Sequence, residues 1–379
     1  MPASPSTARA INDRLALRLL QDEGPLTAGQ LKTLTGLSRP TVADLVERLQ
    51  GSGLVHVVGE SGAERRGPNA RLYAIVADRA HLAALDVRTH GVSLVVADLL
   101  GAALAQARLP VEPGTGTGPA VEQVVALLER TAKEAGAERL HSVVVGAPGL
   151  IDPAAGELRD TTGLPAWHRE LVRALAERLP AAVLVENETN LAAVAEQRLG
   201  AARGRDTFVL LWLGQGIGAS LVLEGKLRRG ASGGAGEIGF LPVPGTSGLP
   251  SATSCDGGFH DLVHTGAVAR LAARHGRTLG VQEAVRDADG PFLDALAERI
   301  AIGAASVVAI LDPGLIVLGG ELGHAGGRSL AARVQRALAA LTPLATEVRP
   351  SELGDGAVLG GALLTARDAA QDEIFAPKP

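Results

Sequence analysis

Residues 206–230, DTFVLLWLGQGIGASLVLEGKLRRG, decide the fold of most of this chain. An apolar run, a Gly-rich turn, a second apolar run, a Glu-Gly turn and a short third run read as three consecutive strands joined tightly. The same order stands upstream at 81–111, HLAALDVRTHGVSLVVADLLGAALAQARLPV. Each triplet leads into helical segments and further short apolar strands: HSVVVGAPG at 141–149, AAVLVEN at 181–187 and LIVLGGE at 315–321. A duplicated unit of this kind predicts two α/β lobes facing each other across a cleft near residues 185–240, within a body spanning residues 79–379.

Residues 1–78 read differently. LTAGQLKTLTGLSRPTVADLVERLQGSGLV at 26–55 gives two short amphipathic helices separated by a Gly-containing turn, the helix-turn-helix signature. Leu31 and Leu34 are expected on one inward face, Ser38 at an N-cap, and Pro40 in the first helical turn, where its missing N–H is harmless. Val42, Leu45, Val46 and Leu49 then form an apolar stripe, which turns Ser38, Arg39, Thr41 and Asp44 outward at the helix start, the end that meets base edges. Leu54 to Val58 and Arg71 to Val76 read as two strands joined by a Gly-rich turn bearing Arg65 and Arg66. A basic-tipped hairpin beside such a helix makes a winged helix-turn-helix, with Arg65, Arg66 and Arg71 suited to phosphate or minor-groove contact. An earlier helix, from about Ala8 to Gln21, is expected to turn Ile11, Leu15, Leu17 and Leu20 inward.

Charge confines any DNA contact to this head. Residues 1–75 carry nine Lys/Arg against seven Asp/Glu, while the remainder carry 27 against 34 and would be repelled by a phosphate backbone. With 46% hydrophobic and 20% charged residues the chain is globular rather than disordered. No apolar run is long enough to span a membrane, and MPASPSTARA lacks the apolar core of a signal peptide, so a cytoplasmic protein is expected. A single cysteine, Cys255, excludes an internal disulfide framework. Aromatic content of 2% argues against stacking platforms for single-stranded nucleic acid. The tail from Ala366 to Pro379 reads as a frayed helix end.

The duplicated body resembles the actin-like ATPase (ribonuclease H-like) architecture, whose two strand-turn-strand hairpins grip nucleotide phosphates above an acceptor site. From the helix-turn-helix to about residue 365 the chain resembles transcriptional regulators of the ROK family (repressors, open reading frames and sugar kinases). The residues that carry the resemblance are GLSRPTVADLVERLQGSGLV at 36–55, VVVGAPGLIDPAAGEL at 143–158, GLPAWH at 163–168, VENETNLAAVAEQRLGAARG at 185–204, LGQGIGASLVLEGKLRRGASGGAGEIGFLPV at 213–243 and IVLGGEL at 316–322. The expected fold is thus an α+β winged helix-turn-helix followed by a two-lobed α/β actin-like body.

The resemblance implies a chemistry that this sequence follows only in part. A family kinase opens its body with an acidic residue and a glycine-rich turn, because glycine lets backbone N–H groups approach phosphates. Here the segment is Asp86-Val87-Arg88-Thr89-His90-Gly91, with Arg88 where glycine is expected; Gly214, Gly216 and Gly218 of the second loop equally serve a tight turn. ATP binding is not expected. The family's Asn-Asp pair, whose Asp is the general base, is Asn187-Glu188 here, and the added methylene moves the carboxylate about 1.5 Å. Displacements of that order lower rates roughly 100-fold. Asn187, Glu188 and Glu237 are the candidate sugar-binding residues, with Asn187 and Asn190 alternatively serving a turn and helix cap. The family's structural zinc is held by one His and three Cys; Phe240 replaces the His, and Thr253, Cys255 and His260 occupy the Cys positions, so no zinc is expected. The implied function is a DNA-binding regulator, a repressor of sugar-metabolism genes acting as a homodimer or tetramer on duplex operator DNA, with a sugar or sugar derivative as effector and no catalysis. The rival is an active sugar kinase with an appended DNA-binding head.

Overall fold

The computed structural model describes residues 5–61, 70–159, 164–286 and 290–376. In the head, α1 (Pro5–Glu23) leads through β1 (Leu26–Thr27) into α2 (Ala28–Thr35), α3 (Arg39–Gly51) and the two strands of a wing, β2 (Val55–Ser61) and β3 (Ala70–Ile75). The three strands pair antiparallel in the order β1-β3-β2. Local chemistry sets the helix ends. Thr27 and Gln30 form a reciprocal capping box at α2, with Gln30 N–H donating to the Thr27 hydroxyl (3.2 Å) and Thr27 N–H to the Gln30 side chain (2.9 Å). Gly36 ends α2 in the left-handed region at φ 70°, which favours glycine. Ser38 caps α3 by accepting from Thr41 N–H, Pro40 lies in the first turn, and Val42, Leu45, Val46 and Leu49 are buried.

Two apolar assignments in the head differ from expectation. Ala16, Leu17 and Leu20 are the buried residues of α1, whereas Ile11 and Leu15 are 58% and 39% exposed. Residues two apart on a helix point about 200° apart, so Leu15 and Leu17 cannot share a face, and packing selects the stripe that contains Leu17. Leu34, in the last turn of the short α2, is 49% exposed while Leu31 is buried. The wing tip that carries Arg65 and Arg66 lies outside the described residues.

The body contains two sheets of matching topology. The first is built from β4 (His81–Arg88), β5 (Gly91–Asp98), β6 (Ala103–Pro110), β7 (Leu140–Ala147) and β10 (Ala182–Asn187), with α4 (Thr117–Glu134), the small hairpin β8 (Ile151–Asp152) and β9 (Glu157–Leu158), and α5 (Trp167–Arg178) between them. After α6 (Glu188–Leu199), the second sheet comprises β11 (Phe208–Leu213), β12 (Ile217–Leu223), β13 (Lys226–Arg228), β14 (Leu315–Gly319) and β15 (Glu347–Pro350). Its helices are α7 (His260–Val263), α8 (Thr265–Arg274), α9 (Val281–Arg286), α10 (Pro291–Leu311) and α11 (Gly320–Ala339), which kinks at Gly327; the final α12 (Ala357–Ile374) returns to the first sheet. Strand orders are β10-β7-β4-β5-β6 and β13-β12-β11-β14-β15. In both, the first strand of the antiparallel triplet is central and two parallel strands extend the opposite side. Central β11 is buried at every residue, as expected of a strand covered on both faces, whereas edge strand β6 alternates in exposure.

As far as Ala376 the C-terminal segment is not frayed; residues 377–379 lie outside the described residues. Helix α12 packs on α6, β4 and β7 and then reaches the head: Ala366, Ala370 and Phe375 are buried in one apolar cluster with Leu17 and Leu20. Gln371 Nε2 donates to Gln21 Oε1 (2.8 Å) and to the Leu99 carbonyl (3.0 Å), joining head and body. Periodicity marks an apolar face but not what covers it, so this partner is not readable from the sequence. Among the described residues no helix is long and apolar enough to cross a membrane.

Candidate functional site

The two sheets enclose a cleft of about 930 Å³, lined from the first lobe by Asp86, Arg88, Thr89, His90 and Glu188 and from the second by Trp212, Gln215, His260, His264 and Glu321. The turns β4–β5 and β11–β12, which would flank nucleotide phosphates in an actin-like enzyme, both open onto it. The first is filled by charge. Arg88 Nε donates to Asp86 Oδ2 (2.9 Å), and Arg88 Nη1 lies 3.7 Å from Glu321 Oε1, at the start of α11 across the cleft. Burial holds the Asp86 carboxyl above its ordinary range, against the opposing pull of Arg88 and with the repulsion of Asp355 and Glu321. Asp86, Glu188 and Glu321 thus gather around a single guanidinium, with Asp355 acting on Asp86 from beyond.

In the second loop one glycine has a steric reason of its own. A Cβ on Gly214 would lie 1.9 Å from Glu321 Oε2, so the glycine makes room for a carboxylate. Gly91 is likewise demanded by packing, since a Cβ there would meet the Leu109 carbonyl oxygen at 2.6 Å. Glu321 is a cleft residue that the sequence reading missed; its signal is the acidic residue directly after the paired glycines of IVLGGEL.

The three candidate sugar-binding residues occupy three different settings. Glu188 lines the cleft. Asn187 is engaged locally: its Oδ1 accepts from Thr189 N–H (2.8 Å) and Asn190 N–H (3.4 Å) to cap α6, and its Nδ2 donates to the Gly149 carbonyl (2.9 Å). Glu237 is exposed and is not among the residues lining the cleft. The preceding Glu186, unremarked in the sequence, is buried and receives Asn187 N–H, Asn190 Nδ2 and the Arg229 guanidinium (2.6 Å), which ties the first lobe to the end of β13. His168 of GLPAWH is buried edge-on against Trp167, and burial lowers its pKa to about 4, so its ring is neutral at neutral pH.

Burial, followed by the charge of Asp86, raises the Glu188 carboxyl from its ordinary 4.5 to about 8. Near neutral pH this favours the protonated form, which can donate a hydrogen bond and accepts a proton poorly. Between pH 4.5 and 8 the folded state holds a proton that the unfolded state has released, so this group's contribution to stability is complete below 4.5 and is lost as pH rises through 8. Glu188→Gln imitates the protonated form at every pH. In thermal unfolding the variant and the native protein should match at pH 5, with the variant melting higher at pH 9, on the order of 2–4 °C; equal melting at pH 9 would refute the raised pKa.

In the head, Arg39 is exposed at the first turn of α3, and Arg71 is exposed on β3. The hydroxyls of Ser38 and Thr41 lie 2.8 Å apart and bond to each other as well as serving the cap. Arg48, on the other side of α3, is tied to Asp13 of α1 at 2.6 Å. The recognition-helix start therefore offers one long, outward cation flanked by two hydroxyls.

A family model for ROK matches residues 82–369. The chain belongs to the ROK family. Within the head, a MarR-family model matches residues 11–67. A protein provisionally named a xylose repressor, from Caldicellulosiruptor sp. (strain Rt8B.4), is 22% identical over 341 residues, covering 84% of this chain and 85% of that protein. The crystal structure of a ROK-family transcriptional regulator, a homologue of the E. coli MLC protein, aligns with TM-score 0.77 and 19% identity over 97% of this chain and 98% of that one, a likeness of fold. A ROK hexokinase from Thermus thermophilus aligns with TM-score 0.64 and 28% identity, covering 77% of this chain and 99% of the hexokinase. Three further curated relatives are matched over 36%, 66% and 58% of their own lengths.

The zinc knot of the ROK pattern does not fit the residues present. Phe240 and Thr253 offer no suitable donor, and Cys255 is half-buried with burial raising its thiol pKa, which disfavours the thiolate that zinc requires. Hydrogen bonds close the loop instead: Gly258 N–H donates to the Cys255 carbonyl (2.9 Å), Gly257 N–H to Asp261 Oδ2 (2.8 Å) and Asp256 N–H to the Ser254 hydroxyl (3.1 Å).

Proposed function

We propose that this ROK protein is a cytoplasmic DNA-binding transcriptional repressor of sugar-metabolism genes, with a kinase-shaped body that binds a sugar or sugar derivative without transferring phosphoryl groups. The observation that carries the reading is the joint one: a capped helix-turn-helix presenting Arg39, on a body whose first phosphate-side turn holds an Asp86–Arg88–Glu321 charge cluster. Asp86 and Glu321 already engage the Arg88 guanidinium and so leave it poorly available to a triphosphate, and a Glu188 that is neutral at pH 7 is a poor proton acceptor but a good partner for a sugar hydroxyl. The likeness to named repressors supports the same reading, and the departures at the general-base and zinc positions support loss of catalysis and of the family zinc.

In this reading two chains pair so that two heads read a two-fold operator, because half-site spacing mirrors protein symmetry. Effector binding changes the separation or orientation of the heads only to the extent that it prefers one lobe closure over another. Helix α12 is the element placed to carry such a change, since it packs on cleft strands β4 and β7 at one end and on the head at the other.

The deciding experiment incubates the purified chain with Mg²⁺, ATP and a panel of hexoses, pentoses and amino sugars, and follows both phosphotransfer and melting temperature. We expect no sugar-dependent ATP consumption and stabilisation by one member of the panel, about 2.7 kcal/mol at a hundredfold excess over Kd. Sugar-dependent turnover abolished by Glu188→Gln would establish the kinase instead.

A further inference from the structure

The wall of the cleft nearest the closed loop carries a group of side chains that the proposed function leaves unused. His260 and His264 both line the cleft, their rings parallel within 4° and 4.3 Å apart. Asp261 stands beside them, with its Oδ1 3.8 Å from His260 Nδ1. One ligand atom from each of the three lies within 4.8 Å of the others, and they are the one such group of His, Cys, Asp and Glu found among the described residues. Cys255 is not part of it.

We propose that His260, Asp261 and His264 bind a divalent transition-metal ion facing the cleft, in a ligand set that shares only the His260 position with the family's four-ligand zinc knot. Three features argue for it. Two imidazoles and one carboxylate suit Zn²⁺, Co²⁺ or Ni²⁺, and three protein ligands leave coordination positions open, as in sites that take up an oxygen from a bound molecule. The backbone holds the carboxylate in place, since Asp261 Oδ2 accepts from Gly257 N–H (2.8 Å) and leaves Oδ1 toward His260. Finally, His260 Nδ1 is a buried ring nitrogen with no hydrogen-bond partner, and a metal ion supplies the missing one.

The site has a defined local consequence. His264 Nδ1 accepts from Gly266 N–H at 3.1 Å and so caps α8, which places the proton of the neutral ring on Nε2. Binding through Nε2 shifts that proton to Nδ1, and binding through Nδ1 replaces the N–H contact; in either case the cap bond is given up. The rings must also move closer to share one ion, and the nearby Arg270 charge opposes a cation. These features point to a reversible site rather than a permanently loaded structural one. An ion here would present its open positions to a hydroxyl or carboxylate oxygen of a molecule in the cleft.

The test titrates the full chain, stripped with chelator, with Co²⁺ and follows visible absorption, with bound Zn²⁺ measured in parallel by equilibrium dialysis. His264→Asn removes the imidazole while retaining a side chain that can cap α8, and Asp261→Asn retains an oxygen able to accept from Gly257 N–H. We expect one equivalent of metal on the native chain and on Cys255→Ser, with at least a tenfold loss of affinity in His264→Asn and Asp261→Asn and unchanged circular dichroism in each. Absence of binding to the native chain would overturn the proposal. So would binding that is lost in Cys255→Ser and kept in His264→Asn, which would assign the ion to the remnant knot.

Discussion

Replacing Arg39 with alanine is expected to weaken binding to the preferred operator by about 1–3 kcal/mol per head, roughly 5- to 150-fold, and to flatten discrimination among operator variants. Arg39 is the exposed long cation at the start of α3, whose opposite face is anchored by Val42, Leu45, Val46 and Leu49 and whose first turn is fixed by the Ser38 cap and Pro40. A guanidinium held there has the geometry to read the two acceptors of a guanine edge, whereas Ser38 and Thr41 spend hydrogen-bonding capacity on each other. Arg71, on the wing, serves as the contrast. Arg71→Ala should lower affinity evenly across sequences and reduce the salt dependence by about one ion. Selection from a random duplex library, followed by titration of the selected site and single-base variants at two salt concentrations, separates the two effects. An Arg39→Ala protein with unaltered affinity and selectivity would remove α3 as the reading element.

Gly361→Ala is expected to destabilise the body by about 3 kcal/mol and to lower the melting temperature by roughly 5–10 °C. The added Cβ would fall 1.9 Å from the Leu191 carbonyl oxygen and 2.5 Å from its carbon, so α12 must separate from α6 rather than merely shift a side chain. Because the far end of α12 is buried against α1, separation should also loosen the head and be visible as faster hydrogen exchange at Leu17 and Leu20. The neighbouring position supplies the control. A Cβ on Gly360 meets only the Ala195 Cβ at 4.0 Å, so Gly360→Ala should be neutral or stabilising by up to about 1 kcal/mol, the helix-propensity gain. Equal melting of the two variants would show that the α6–α12 contact is not as tight as described.

Much of the architecture was legible because it is written in local patterns. The two strand triplets, the capped second helix of the head and the continuous apolar run of Phe208–Leu213 depend on residues close in sequence, and their elements stand where the periodicity places them. Errors came where two stripes competed on one helix. Leu15 and Leu17 are both apolar, and only the packing of α1 shows which is inward. Asn187 illustrates the same limit in the cleft: its residue type suits both a sugar contact and a helix cap, and the hydrogen bonds to Thr189, Asn190 and Gly149 place it in the cap. Glu321, 233 residues beyond Arg88 in the numbering, had no local reason to be connected with the first turn of the body.

The order of residues by itself determined that a DNA-reading head precedes a duplicated α/β body and that the expected kinase residues are altered at Arg88, Glu188 and Phe240, because caps, turns and repeats are short-range properties of a chain. Only the tertiary structure decided that Arg88 meets Asp86 and Glu321, that burial raises the Glu188 pKa, and that the last helix joins cleft to head. Those facts arise from burial and charge between segments far apart in sequence, which no pattern of neighbours encodes.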